Sequence, residues 1–180
     1  MGNSMGCQVV VDLLARRPDR ALATVLIGPT VDRHARSWTR QAARLGSDGL
    51  REQPSLVRIA AAEYLLYGPV RLMRTASYAL ADRIEDDLPR ASAPTLVIRG
   101  ERDPLAPRGW TEEVVALMPH ARLVELRGEP HACHYSAPGL VASVVRRFVQ
   151  EVEDECGEGV GRLPHRHVSG ARDDREPSVR

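Results

Sequence analysis

The chain has 180 residues, 25 basic against 24 acidic side chains and a formal net charge of +1, which allows at most one domain and makes no electrostatic case for a nucleic-acid or membrane-surface partner. All 25 basic residues are arginine, a bias that points to a GC-rich bacterial genome and carries no argument for binding. Cys7, Cys133 and Cys156 are odd in number and lack zinc-ligand spacing, so neither a disulfide framework nor a metal centre is expected; with no signal peptide and no long apolar run, the cytoplasm is the expected compartment.

The first element is Gly2-Asn3-Ser4-Met5-Gly6, a G-x-S-x-G pattern. In such a pattern a strand enters a strained turn that presents the serine hydroxyl, and glycines flank the serine where larger side chains would collide. Cys7 to Arg17 has helix-spaced apolar residues and ends on arginines before Pro18, as a helix C-terminus should. The helix side of the turn is therefore present, and no strand is expected before it. Ala21 to Thr30 reads as a strand, followed by Asp32. From about Arg33 to Arg90 the pattern turns helical, with breaks expected at Gly46-Ser47-Asp48-Gly49, Pro54, Gly68-Pro69 and Pro89. Thr95 to Ile98 is a β-branched run that reads as a buried parallel strand, and Asp103 lies in the loop at its carboxyl end. Trp110 to Met118 reads as a helix and Ala121 to Leu126 as the last strand. A turn carrying His131 and His134 follows. Leu140 to Val152 is the closing helix, and residues 153–180 are expected to form a disordered polar tail.

Nucleophilic catalysis by a serine needs a base to take its proton and an acid to orient that base. Ser4, Asp103 and His131 each end a strand-like segment, and they occur in the order serine, acid, histidine. Asp32 is the rival acid and His134 the rival base. Each has a plainer reading: Ser4 as a helix N-cap, Asp103 as a turn residue, His134 as a structural side chain. His34, His120, His165 and His167 read as surface residues.

These three motifs together resemble the α/β-hydrolase superfamily, over Gly2 to about Glu151. The likeness is to a bacterial branch with a G-N-S-M-G elbow, a G-x-x-D acid loop and a histidine ahead of a Tyr-Ser-x-Pro stretch, here Tyr135-Ser136-Ala137-Pro138. The resemblance implies an α/β fold, a partial hydrolase sheet of parallel strands in residues 1–152, with a helical cap at about 33–90. It further implies Ser4 as nucleophile, His131 as base, Asp103 as orienting acid, the Met5 N–H as oxyanion donor, and no metal or organic cofactor. Trp38, Tyr64, Leu65, Tyr67, Leu72, Met73 and Tyr78 would supply the substrate pocket.

The resemblance also implies strands ahead of the elbow and a loop bearing a second oxyanion donor. The expectation is thus a fragment of a longer protein, with an open sheet edge prone to self-association. The leading function is hydrolysis of a small ester-like substrate. Carbon–carbon bond hydrolysis ranks lower, since such relatives carry glycine at the place of Cys7 and tryptophan at that of Ala132. A non-catalytic remnant and a cofactor-free haloperoxidase-like enzyme are the other readings.

Overall fold

A computed structural model describes residues 1–160. Four parallel strands, β1 (Gly2–Asn3), β2 (Thr24–Ile27), β3 (Thr95–Gly100) and β4 (Ala121–Leu126), lie side by side in that order. Register runs Thr24 to Thr95 and Thr95 to Ala121 across the central strands. Helix α1 (Gly6–Arg16) follows β1. Helices α2 (Trp38–Gly49), α3 (Pro54–Tyr67), α4 (Pro69–Ala81) and α5 (Ile84–Asp87) are inserted between β2 and β3. Then come α6 (Arg108–Leu117) between β3 and β4, the short α7 (Cys133–Ser136) and α8 (Pro138–Val160).

The alternation of side chains along a strand divides the core into two layers. Leu26 and Val97 point to one face, where Val11 and Leu14 of α1, Ile84, Leu88, and Trp110 and Val114 of α6 bury them. Val25, Ile27, Leu96 and Ile98 point to the other, against Cys133, Val141, Phe148 and Val152. Strands covered on both sides are apolar at consecutive positions, which is why Thr24–Ile27 and Thr95–Gly100 are buried throughout. Each such aliphatic side chain contributes ~1.5–3 kcal/mol on burial.

Several boundaries differ from the sequence reading. A two-residue strand does precede the elbow: Gly2 pairs with Leu26 and Asn3 with Ile27, so only Thr24 and Val25 of β2 are without a β1 partner. The expected strand at Ala21–Thr30 contracts to Thr24–Ile27, because Gly28 turns the chain at φ 52°. The break expected at Gly46-Ser47-Asp48-Gly49 does not occur within that run, since α2 continues through it to Gly49. The breaks at Pro54 and Gly68-Pro69 do occur, with Gly68 at φ 83° between α3 and α4. At the C-terminal end α8 extends to Val160, so the polar stretch after residue 152 begins as helix and not as tail; residues 161–180 lie outside the described residues.

Buried polar contacts tie the inserted segment to α1 and to itself. Gln8 of α1 donates to the Ala79 carbonyl of α4 at 2.9 Å. Arg36 forks onto both carboxylate oxygens of the buried Glu85 at 2.9 and 2.7 Å, a bidentate geometry stronger than a single contact. Among the described residues, no helix is long and apolar enough to cross a membrane.

Candidate active site

The carboxyl ends of β1, β2, β3 and β4 all open on one edge of the sheet, the edge at which parallel α/β folds gather functional groups. Ser4 follows β1 directly. Its backbone is at φ 51°, the only non-glycine among the described residues at positive φ, and its N–H donates to the Ile27 carbonyl at 2.9 Å. A β-carbon in the left-handed region costs about 1–2 kcal/mol, and this strain is what lifts a serine out of a strand-to-helix turn. The two flanking glycines are not equivalent. A Cβ on Gly2 would lie 2.8 Å from the Gly6 carbonyl oxygen, as crowding requires, whereas Gly6 itself has open space. Met5 is the N-cap residue of α1, with its N–H at the positive end of that helix.

Asp103 sits in the loop after β3, with its side chain fully buried. One carboxylate oxygen accepts from the N–H groups of Leu105 and Ala106 at 2.8 and 2.9 Å. The other faces His131 Nδ1 at 2.8 Å. Two backbone donors lock the carboxylate, so it can act only on the imidazole. That orientation leaves Nε2 as the free nitrogen of His131: it is buried and has no hydrogen-bond partner among the described residues. Burial alone would push the imidazole down; the hydrogen bond and charge of Asp103, joined by the charges of Asp48 and Glu52, outweigh it and hold His131 above its ordinary value.

Ser4 and His131 line one cavity of about 440 Å³. They are not hydrogen-bonded to each other, and the Ser4 hydroxyl instead lies 3.4 Å from that of Thr30. Such contacts are commonly loose before substrate is bound. A second cavity of about 350 Å³ also begins at Ser4 and runs beneath the inserted helices past Trp38, Leu45, Tyr64, Leu72 and Met73. Of the pocket residues expected from sequence, Trp38, Tyr64, Leu72 and Met73 therefore reach a cavity. Leu65 and Tyr78, 83% and 66% exposed, do not, and Tyr67 bonds to Thr75 at 3.0 Å on the surface. Their helix faces turn outward.

The rival residues are committed elsewhere. Asp32 accepts from His34 N–H at 2.9 Å and pairs with Arg44 at 2.8 Å, which occupies both its oxygens away from His131. His134 lines the larger cavity but faces no carboxylate partner; burial and then the neighbouring His131 push it below its ordinary value. Burial pushes the Cys7 and Cys133 thiols up to about 12, so neither offers a thiolate to compete with the serine. The described residues contain no cluster of three or more side chains able to hold a metal.

Sequence reading missed three contributors. Gly28 has φ 52°, and a Cβ there would sit 2.8 Å from both Cε1 and Nδ1 of His131 and 3.1 Å from the Asp103 carboxylate. Gly28→Ala is therefore expected to displace the imidazole and to lower the melting temperature, with turnover falling about a hundredfold, the usual effect of an ångström-scale misplacement. Melting and ester hydrolysis measured side by side check it, and unchanged turnover would show that the ring has room to spare. The other two contributors are Asp48 and Glu52, four residues apart at the end of α2 and beyond it. Glu52 accepts from the Ala132 N–H at 2.6 Å, which ties the histidine loop to the inserted helices. Tyr135 repeats the tie by donating to Ser55 at 3.1 Å.

Comparison with known proteins gives this geometry a context. A family model described as "Alpha/beta hydrolase family" matches residues 1–144. A pimeloyl-[acyl-carrier protein] methyl ester esterase of Xanthomonas oryzae pv. oryzae is 35% identical over 65 residues, 36% of this chain and 26% of its own length. Among solved structures, Est816, described as an N-acyl homoserine lactone degrading enzyme, superposes with a TM-score of 0.67 at 21% identity, covering 82% of this chain and 65% of that one. A thermophilic esterase from Thermogutta terrifontis gives a TM-score of 0.64 at 20% identity, over 84% of this chain and 64% of that one. The meta-cleavage product hydrolase of Pseudomonas fluorescens IP01 gives 0.60 at 20%, over 83% and 63%. At these identities the structural likeness is one of fold. The chain spans about a quarter of the length of the curated relative and less than two thirds of each of these structures.

Proposed function

Because the chain belongs to the alpha/beta hydrolase family, we propose that it carries the catalytic groups of a serine hydrolase acting on small esters with an apolar acyl part. The observation that supports this reading best is the buried Asp103–His131 pair, with its free Nε2 in a cavity shared with the strained Ser4.

In this mechanism His131 Nε2 takes the Ser4 hydroxyl proton as Oγ attacks the ester carbonyl. Asp103 holds Nδ1–H and stabilises the imidazolium. The oxyanion that forms is met by the N–H of Met5, at the positive end of α1. His131 then protonates the departing alcohol, and water repeats the sequence to release the acid and restore Ser4. The helices over the site act as a cap, and the apolar cavity under them takes the acyl chain. The methyl ester esterase matched by sequence supports ester cleavage as the reaction.

The chain covers 65% and 64% of two of the hydrolase-fold structures it matches, and in the same reading a segment added ahead of β1 would extend the sheet and bring a second oxyanion donor. One such donor is worth on the order of a hundredfold to a thousandfold in turnover. The chain extended upstream through its reading frame is thus expected to be the faster enzyme.

The pH profile of kcat/KM for a short p-nitrophenyl ester tests the base. His131 must be neutral to accept a proton, and Asp103, Asp48 and Glu52 raise its pKa. The acid limb is therefore expected to be centred above the ordinary histidine value of about 6.5. A profile that stays flat down to pH 5 would remove His131 from the role.

A further inference from the structure

The two cavities that meet at Ser4 differ in chemistry, and His131 decides which part of a substrate enters each. Cleavage of an ester forms a bond from Ser4 Oγ to the carbonyl carbon and breaks that carbon's bond to the alcohol oxygen, which must take its proton from His131 Nε2. The alcohol therefore leaves on the His131 side. His131 lines the larger cavity and not the apolar one, so the larger cavity is the alcohol site and the apolar one the acyl site.

The alcohol site is acidic. Asp48 lines it, is 5% exposed, and its Oδ1 has no hydrogen-bond partner among the described residues. Glu52 lines it too; with Oε1 given to the Ala132 N–H, its Oε2 is buried and equally without a partner. Buried acceptors are nearly always paired, and a buried carboxylate oxygen without a donor marks a place where one is missing. Apart from the backbone N–H of His131 at Asp48 and that of Ala132 at Glu52, no donor among the described residues reaches the pair. No arginine among the described residues lines this cavity. His131 is committed to Asp103, and His134, pushed down by burial and by His131, brings no positive charge at neutral pH. The donor set does not close around a metal ion either.

We propose that Asp48 and Glu52 form a cation subsite for the leaving group, and that the substrate is an ester of an apolar acid with an alcohol bearing an ammonium group. The assignment of the alcohol side rests on the serine-hydrolase reading above. The carboxylate pair would hold the ammonium by charge while Trp38, Leu72 and Met73 hold the acyl chain on the far side of Ser4. Burial pushes the Asp48 carboxyl up to about 6, against the pull of His131; it is ionised at pH 7.5 and loses charge below that value.

2-(Dimethylamino)ethyl butyrate, whose amine is protonated at pH 7.5 and carries one N–H, and 3-methylbutyl butyrate have the same shape and differ in the charge and donor of one atom. Isothermal titration of the Ser4→Ala protein with each, at pH 7.5, reads the subsite without turnover. The cationic ester is expected to bind at least about tenfold more tightly, which corresponds to about 1.4 kcal/mol. Asp48→Asn with Glu52→Gln in the same background is expected to reduce that preference to less than about twofold. The amide oxygen of the introduced glutamine keeps an acceptor for the Ala132 N–H, and thermal melting checks that the protein is folded. Equal or tighter binding of the neutral ester overturns the proposal, as does a preference that survives loss of both carboxyls. If the double change fails to fold, Glu52→Gln alone must lower the preference, and the comparison in the Ser4→Ala protein already decides whether a preference exists. Since binding is measured without catalysis, a missing preference leaves Ser4 as nucleophile untouched. A preference in a protein that never hydrolyses esters would instead overturn the hydrolase reading alone.

Discussion

Ser4→Ala is expected to lower ester hydrolysis by on the order of 10⁴ to 10⁶-fold, the scale on which removing a triad nucleophile acts. The fold should barely notice. Among the described residues the hydroxyl's only side-chain hydrogen bond is the 3.4 Å approach to Thr30, and alanine meets the same left-handed backbone at φ 51° that serine already tolerates. Activity and stability are thereby separated at this position: a stopped reaction with an unchanged melting curve is the expected pair of results. Retained ester activity would mean that a different group attacks the carbonyl. The buried thiols of Cys7 and Cys133, pushed up to about 12, are poor candidates for that role.

Asp103→Asn is expected to cost about 10⁴ in kcat through the tautomer of His131. The carboxylate is held by Leu105 and Ala106 through one oxygen and faces Nδ1 through the other. Asparagine can keep its carbonyl oxygen toward the two backbone donors only by turning its NH₂ toward the ring. Nδ1 must then accept, the proton moves to Nε2, and the nitrogen that should receive the serine proton is occupied. Loss of the Asp103 charge also removes the largest influence raising the His131 pKa, so whatever activity survives should show its acid limb at lower pH than the parent. A drop in activity with no movement of that limb would place the effect in folding or substrate binding instead of in the imidazole.

The parts of this site that were legible in sequence are those whose chemistry is local. The elbow is spelled by five consecutive residues, Asp103 follows a strand marked by a β-branched run, and His131 follows the turn after the last strand-like segment. Chain order then links them. Asp32 and Asp103 looked alike as acids ending strands, and only three dimensions separate them: Arg44, brought down by α2, claims one, and His131 the other. Asp48 and Glu52 carried no sequence signal, because Asp48 lay in a Gly-Ser-Asp-Gly run that reads as a break. There the helix continues through both inner positions because tertiary packing overrides weak propensity. Gly28 lies inside the segment that reads as a strand, and that the space of its missing Cβ borders the His131 ring is a matter of packing between the ends of β2 and β4. The outward faces of Leu65 and Tyr78 were likewise invisible in a pattern rich in apolar residues on every side of α3 and α4.

The measurement closest to the central claim is the site of covalent labelling. After reaction with a fluorophosphonate, proteolysis and mass spectrometry of the native protein should find one phosphonyl adduct, on Ser4, and none in the His131→Ala variant, where nothing activates the hydroxyl. An adduct on another residue, or ester hydrolysis persisting in protein whose Ser4 is unlabelled, would contradict the account.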